Sequence, residues 1–286
     1  MRRAGMVLEG GATRGVFTAG VLDFLMEKEY YIPYVVGTSA GACNATGYVS
    51  RQPGRMKNCS IIKDDQYRYI TVKNTLKNHT LLDMDLMFKK YPEEIFPFDY
   101  DTFFQSDMQC EMVVTNCLTG QAEYLSEHHN KNRMMSICRA SSSMPLVTKI
   151  VTVDGKPYLD GGLADSVPII HSLKTGHSRN VIVLTRDKGY RKKDSRRSKA
   201  VQICQMKYGK TYPNLIKTMQ KRSMIYNKTM DYIDKWEEEG KVFVIRPEMK
   251  PISRLEQNTE RLEEFYFHGY QIMEEEFERM RYFLER

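Results

Sequence analysis

The apolar residues of this chain alternate between short continuous runs and helical stripes from the first residues onward. Residues 4–8 (AGMVL) have the length and continuity of a buried strand. From Gly15 to about Lys28, Phe17, Val21, Phe24 and Leu25 recur at i, i+4, i+7 and i+8, which predicts one face of a helix. Gly20 lies inside that helix at a cost of roughly 1 kcal/mol against alanine, and close packing on a sheet is the expected reason. "YVVGTSAG" (34–41) reads as a second strand, a tight turn and a helix starting near Ala40. A strand–helix–strand unit of this length predicts adjacent parallel strands.

Residues 51–105 carry no such rhythm. "LLDMDLMFKKYPEEIFPFDYDTFF" begins with helical spacing and then breaks into prolines and aromatics, which predicts an irregular excursion over the sheet. The Met and aromatic residues of 81–104 read as core or as the lining of a groove, and such stripes are more often core. Strand character returns at 110–117 (CEMVVTNC), with "QAEYL" expected to pair back after the Thr119-Gly120 turn. Residues 149–162 have the form of a hairpin turning at Asp154-Gly155. "NVIVLTR" (180–186) and "KVFVIRPE" (241–248) read as the last strands. A long stripe from Leu262 through Phe265, Gly269, Met273, Phe277 and Met280 to Phe283 predicts a C-terminal helix. No internal repeat or flexible linker appears. The pattern is that of one α/β domain, 1–186, with 187–286 as a helical elaboration completing it.

Composition narrows the classes. A hydrophobic fraction of 41% in 286 residues supports a substantial core, and the net charge of +7 is a modest excess. Most of that excess falls in 186–228, where only two acidic residues interrupt many Lys and Arg. This run, with Lys192, Lys193, Arg196 and Arg197 as examples, is expected either as a solvated face or as a peripheral contact with anionic membrane. Aromatic interleaving is sparse there, so nucleic acid is not expected. Six cysteines show no CxxC pair and no metal-ligand spacing, which suits reduced thiols in the cytoplasm. The basic start lacks the apolar run of a signal peptide, and no stretch approaches eighteen apolar residues. The expectation is a soluble, cytoplasmic protein whose membrane contact, if any, is peripheral.

The candidate chemistry lies at two glycine-flanked turns. "VLEGGATRG" (7–15) reads as a phosphate-binding P-loop, a dinucleotide loop or a set of amide donors for a developing oxyanion. The P-loop reading fails because Val16-Phe17 stand where Lys-Ser/Thr is required. The dinucleotide pattern, with Gly10, Ala12 and Gly15 and an acidic residue at Glu27 or Glu29, is weak alone. "GTSAG" (37–41) places Ser39 between Gly37 and Gly41 on a strand-to-helix turn, the form of a nucleophile elbow. Both turns follow consecutive strands of one βαβ unit, so both lie at the same sheet edge. Adjacent strands are about 4.8 Å apart, which brings the first loop's amides beside Ser39. The oxyanion reading follows.

A serine needs a base. An α/β-hydrolase would place several strands before its elbow, whereas one strand and one helix precede Ser39. His79, His128, His129, His171, His177 and His268 carry no distinctive local pattern and read as surface or packing residues. "YLDGGLADSVP" (158–168) offers a carboxylate instead: Asp160, followed by Gly161 and Gly162. Asp154 reads as an ordinary turn residue.

In this order, "EGGATRGVFTAGVLDFL", "GTSAG" and "DGG" resemble the patatin-like phospholipases, close to bacterial members with an added C-terminal region. The resemblance covers roughly residues 5–186. It implies a three-layer α/β/α fold with a mostly parallel central sheet, and a Ser–Asp dyad that hydrolyses lipid or lysophospholipid acyl esters without metal or cofactor. Ser39 would be the nucleophile and Asp160 the base. The amides around Gly10, Gly11 and Ala12 would form the oxyanion hole, and Arg14 would hold the loop. Ala12 stands where the family has a third glycine, so the loop is expected to keep this residue at ordinary φ. Ser166 stands where the family often has asparagine. The competing class is a lipid- or nucleotide-binding module with an idle serine.

Overall fold

A computed structural model describes residues 3–70 and 81–286. His79 and part of the 51–105 excursion fall outside the described residues. Eight strands form one sheet in the order β5-β6-β3-β2-β1-β7-β8, with β4 pairing β3 off that path. The strands are β1 (Ala4–Leu8), β2 (Tyr34–Thr38), β3 (Gln109–Asn116), β4 (Ala122–Leu125), β5 (Val151–Val153), β6 (Lys156–Asp160), β7 (Arg179–Val183) and β8 (Val242–Ile245). β3, β2, β1, β7 and β8 run parallel, while β4, β6 and β5 are antiparallel additions.

The sheet is apolar on both faces because its central strands alternate between two cores. Met6 and Leu8 of β1 pack with α1 (Gly15–Glu27), α2 (Ala40–Val49), α6 (Lys131–Ser141) and α10 (Thr259–Glu285). Val7, between them, faces the opposite layer with α7 (Ile169–Lys174) and α9 (Pro213–Glu238). A third cluster joins α8 (Lys199–Tyr208) and the start of α9 to Leu159 of β6. The three-layer α/β/α architecture with a helical C-terminal region is therefore present. The Asp154-Gly155 turn has both residues at positive φ (50° and 76°), as a two-residue hairpin requires.

Two packing expectations change. α1 is buried on every side, since α10 covers the face that the sheet leaves open. Gly20 owes its lack of a side chain to α10 and not to the sheet. A Cβ at Gly20 would penetrate the Tyr266 carbonyl, and one at Gly269 would penetrate that of Phe17. The helices thus cross at two reciprocal glycines, sealed by the Tyr266 hydroxyl donating to Asp23 at 2.7 Å. Burial, opposed by that hydrogen bond, raises the Asp23 pKa to about 6.

The 51–105 excursion contains α3 (Arg55–Ser60), a π-helical α4 (Leu86–Ile95) with Pro92 inside it, and α5 (Tyr100–Gln105). π geometry recurs near functional sites, and Met87, Phe88, Tyr91 and Pro92 of this segment line a cleft that Ser39 also lines.

Candidate active site

β1 lies between β2 and β7, so the chain leaves it in both directions and opens a crevice at the carboxyl ends of the strands. Leu8 is in register with Gly37, which sets the loop after β1 beside the turn after β2. Ser39 sits on that turn at φ 56°, ψ −120°, a conformation that costs of order 1–3 kcal/mol for a residue with a side chain. The turn is tight enough that a Cβ at Gly41 would lie 2.5 Å from the Leu8 carbonyl. The Ser39 amide is fixed by Ser141 Oγ at 2.9 Å, and Ser141 in turn donates to the Val113 carbonyl at 2.6 Å.

Ser39 Oγ donates to Asp160 Oδ2 at 2.7 Å, across 121 residues of sequence. Both are buried, at 9% and 6% exposure. Asp160 ends β6 and is held from three sides. Its amide donates to the Ser143 carbonyl, its carbonyl accepts from Thr115, and its Oδ1 accepts the Gly162 N–H at 2.7 Å. Burial pushes the carboxyl pKa up, against the Ser39 hydrogen bond and the positive charge of Arg222. A carboxylate so placed is a better proton acceptor than one in water.

The glycine loop lies against Ser39: an ideal Cβ at Gly10 would be 3.3 Å from Ser39 Cβ. The three expected donors are not equivalent. The Gly10 N–H donates to the Ser166 carbonyl at 3.3 Å, whereas the Gly11 and Ala12 N–H groups have no acceptor among the described residues. Ala12 also departs from expectation, because its φ is +52°. Ala12 opens the 3₁₀ turn Ala12–Arg14 that follows Gly11, with a φ opposite in sign to that of a regular 3₁₀ residue. The cost to a Cβ-bearing residue is roughly 1–2 kcal/mol. Arg14 is 3% exposed, yet its side chain makes no hydrogen bond to the loop among the described residues.

Other groups brace the loop, and none was visible in local patterns. Glu9 accepts from the Thr185 N–H (2.6 Å), the Thr185 hydroxyl (3.0 Å) and the Tyr226 hydroxyl (2.9 Å). Thr13 donates to the Ser253 carbonyl and accepts from the Glu256 amide. Ser166 is a hub: its hydroxyl donates to the Gly162 carbonyl and accepts from Lys192 Nζ at 3.0 Å. Arg222 Nε donates to the same Gly162 carbonyl at 2.6 Å. Lys192, expected on the surface, therefore turns inward. Elsewhere in the basic run Arg191 pairs with Asp231 and Asp234, and Arg196 with Asp194. Among the described residues no histidine hydrogen-bonds Ser39 or Asp160: His171 stacks on Tyr124 and hydrogen-bonds Glu111, and His177 stacks on Tyr34.

Two clefts meet at Ser39 and Ala12. The first, about 1020 Å³ up to its open mouth, is walled by Met56, Leu82, Met87, Phe88, Tyr91 and Phe98 among others. The 81–104 segment thus lines a groove as well as contributing core. The second cleft, about 940 Å³, is walled by the glycine loop, Asp160 and a set of cations. No described helix is long and apolar enough to cross a membrane.

A family model described as patatin-like phospholipase matches residues 6–173, and one described as a domain of unknown function (DUF6363) matches residues 212–285. The chain is 29% identical over 190 residues to the uncharacterized protein YjjU of Escherichia coli (strain K12), a match covering 64% of this chain and 52% of that protein. It is 26% identical over 178 residues to the lysophospholipase nte1 of Aspergillus terreus, covering 59% of this chain and 11% of that protein. The chain thus spans about half the length of the first relative and about a tenth of the second. The crystal structure of VipD from Legionella pneumophila shares the fold, with a TM-score of 0.50 at 12% identity, over 95% of this chain and 66% of that one.

Proposed function

This chain belongs to the patatin-like phospholipase family, and from that premise we propose that it is a serine hydrolase of lipid or lysophospholipid acyl esters using a Ser39–Asp160 dyad. Family membership supports lipid acyl hydrolysis in general. The observation that carries the finer reading is the 2.7 Å hydrogen bond from Ser39 Oγ to a buried carboxylate, made by a serine on a strained turn.

In this mechanism Asp160 accepts the hydroxyl proton as Ser39 Oγ attacks the ester carbonyl. The Gly11 and Ala12 amides, the loop donors without an acceptor, stabilise the oxyanion, with Gly10 setting the loop's position. Asp160 returns the proton to the departing alkoxide. It then activates the water that releases the fatty acid from the acyl-enzyme. The apolar cleft takes the acyl chain. Only the ionised carboxylate can act as base, so activity rises with pH through a value above the ordinary aspartate pKa of about 3.9.

Residues 187–286 complete the catalytic domain in this reading, because β8 extends the sheet beside β7 and α10 covers α1. Peripheral contact with anionic membrane through 186–228 remains part of the proposal, carried by its exposed cations and not by Lys192. No nucleic acid partner is proposed.

The test is turnover of 1-oleoyl lysophospholipid and of a p-nitrophenyl ester by wild type and Asp160→Asn. The variant should lose on the order of 10³–10⁴ in kcat with an unchanged circular dichroism spectrum. Full activity in Asp160→Asn would remove the dyad; a wild type that binds lipid but hydrolyses none would favour a binding module.

A further inference from the structure

The second cleft is built unlike the first. Its wall carries Arg14, Arg186, Lys192 and Arg222, with Arg254 at the border it shares with the first cleft, against the two carboxylates Glu9 and Asp160. Both carboxylates are already engaged, Glu9 by three donors and Asp160 by Ser39 and the Gly162 amide. None of the five cations forms a salt bridge among the described residues, although Arg191, Arg196 and Arg246 nearby in sequence or fold all do. Residues 71–80 contain no Asp or Glu.

Arg14 is the most demanding of the five. It is 3% exposed, lines the cleft, and its Nε has no hydrogen-bond partner among the described residues. Arg222 uses Nε on the Gly162 carbonyl and leaves its two terminal nitrogens for the cleft. The cations depress one another's proton affinity. Burial, then Arg186 and Arg254, lower Arg14 to about 10; burial and Arg222 lower Lys192 well below the usual lysine range; burial and Arg254 lower Arg222. Unpaired like charges at such a site are costly unless an anion joins them.

We propose that this cleft is a phosphate subsite, and that the phosphate is the head group of the same ester whose acyl chain occupies the apolar cleft. The inference rests on the acyl-hydrolase reading and specifies its substrate class as an anionic, phosphate-bearing acyl lipid. Guanidinium forks and an ammonium around one point match a three-oxygen anion. A choline head group is disfavoured, because the aromatic faces on the wall are taken: Arg186 covers Tyr190 at 4.2 Å and Lys192 covers Tyr226 at 3.7 Å. Lys192, Arg222 and Arg254 all lie beyond the 6–173 family match, and Arg222 and Arg254 fall in the 212–285 match. Head-group recognition thereby gives the C-terminal region a role.

The experiment uses the full chain as Ser39→Ala and measures affinity for three ligands sharing an oleoyl chain, below their aggregation concentrations: lysophosphatidic acid, lysophosphatidylcholine and monoacylglycerol. Lysophosphatidic acid should bind about thirtyfold tighter than monoacylglycerol, as one or two charge-assisted hydrogen bonds allow. Arg254→Gln, on an exposed loop where folding is not at risk, should narrow that ratio about tenfold; Lys192→Gln should act in the same direction. Millimolar inorganic phosphate should compete with lysophosphatidic acid. Equal affinities for lysophosphatidic acid and monoacylglycerol, or a ratio that neither substitution moves, would overturn the proposal. If phosphate alone raises the melting temperature through Arg254 while the lipids show no preference, the cleft serves free phosphate and the head-group assignment fails. Turnover by wild type separates the two levels. Equal kcat/KM on all three esters leaves the hydrolase standing and removes the subsite, whereas selective binding without turnover does the reverse.

Discussion

Ser39 and the glycine loop both lie within the first fifty residues, each at the end of a strand whose apolar run is continuous in the sequence. The residues that close around them, Lys192, Arg222, Tyr226 and Arg254, come from beyond residue 187 on one helix and two loops. The first region places Ser39 and the loop amides by local backbone geometry: a tight turn, a strained φ, a strand end. The second holds those groups through side chains reaching back across about two hundred positions, such as Tyr226 to Glu9 and Thr13 to Ser253. Changes in the first should therefore remove chemistry and spare the fold, and changes in the second should cost stability or placement.

The sharpest contrast comes from Ser39→Ala, which should lower kcat by on the order of 10⁴ or more while the thermal midpoint stays close to wild type. A large fall in melting temperature would mean that the turn is structural. Gly20→Val attacks the contact between α1 and the C-terminal helix α10, driving a side chain into the Tyr266 backbone. It should cost on the order of 3 kcal/mol in urea unfolding; a neutral result would contradict the crossing of α1 and α10 at that point.

Asp23, beneath the same crossing, gives a pH signature. Its carboxyl is raised to about 6 in the folded protein, so the native state holds the proton more tightly than the unfolded chain does. That stabilising contribution is fully present below about pH 3.9 and is lost as pH rises through about 6. Asp23→Asn removes the titration. The stability of the variant relative to wild type should grow by roughly 2–3 kcal/mol between pH 4 and pH 7.5, read from paired denaturation curves. A pH-independent difference would show that the group does not titrate there.

The smallest effect is expected from Tyr226→Phe, which leaves buried Glu9 short of one donor. A loss of about 1–2 kcal/mol should accompany a modest fall in kcat, since Glu9 precedes the loop amides. An unchanged kcat would uncouple the C-terminal region from the loop.

The same contrast explains what was legible in advance. β1, α1, β2 and the Ser39 turn could be read because strand length, helical spacing and glycine placement are local properties. Asp160 stood out because Gly-Gly follows it at a hairpin end, and its pairing with Ser39 was implied only by the family resemblance. The bracing groups were not legible: Ser141, Thr185 and Tyr226 act at long range and carry no local pattern. Lys192 and Arg222 were hidden in a charged run that reads as solvated surface. Ala12 misled, because alanine suggests ordinary φ while the residue sits at +52°. Gly20 was recognised as a packing position, but its partner, α10, lies about 245 residues away and could not be inferred from spacing.

The central claim, that Ser39 is an activated nucleophile, is tested most directly by reacting the purified chain with a fluorophosphonate probe and mapping the labelled peptide. The account predicts covalent labelling confined to Ser39, absent in Ser39→Ala and strongly slowed in Asp160→Asn. A folded wild type that takes up no label, or labelling that persists in Ser39→Ala, would contradict it.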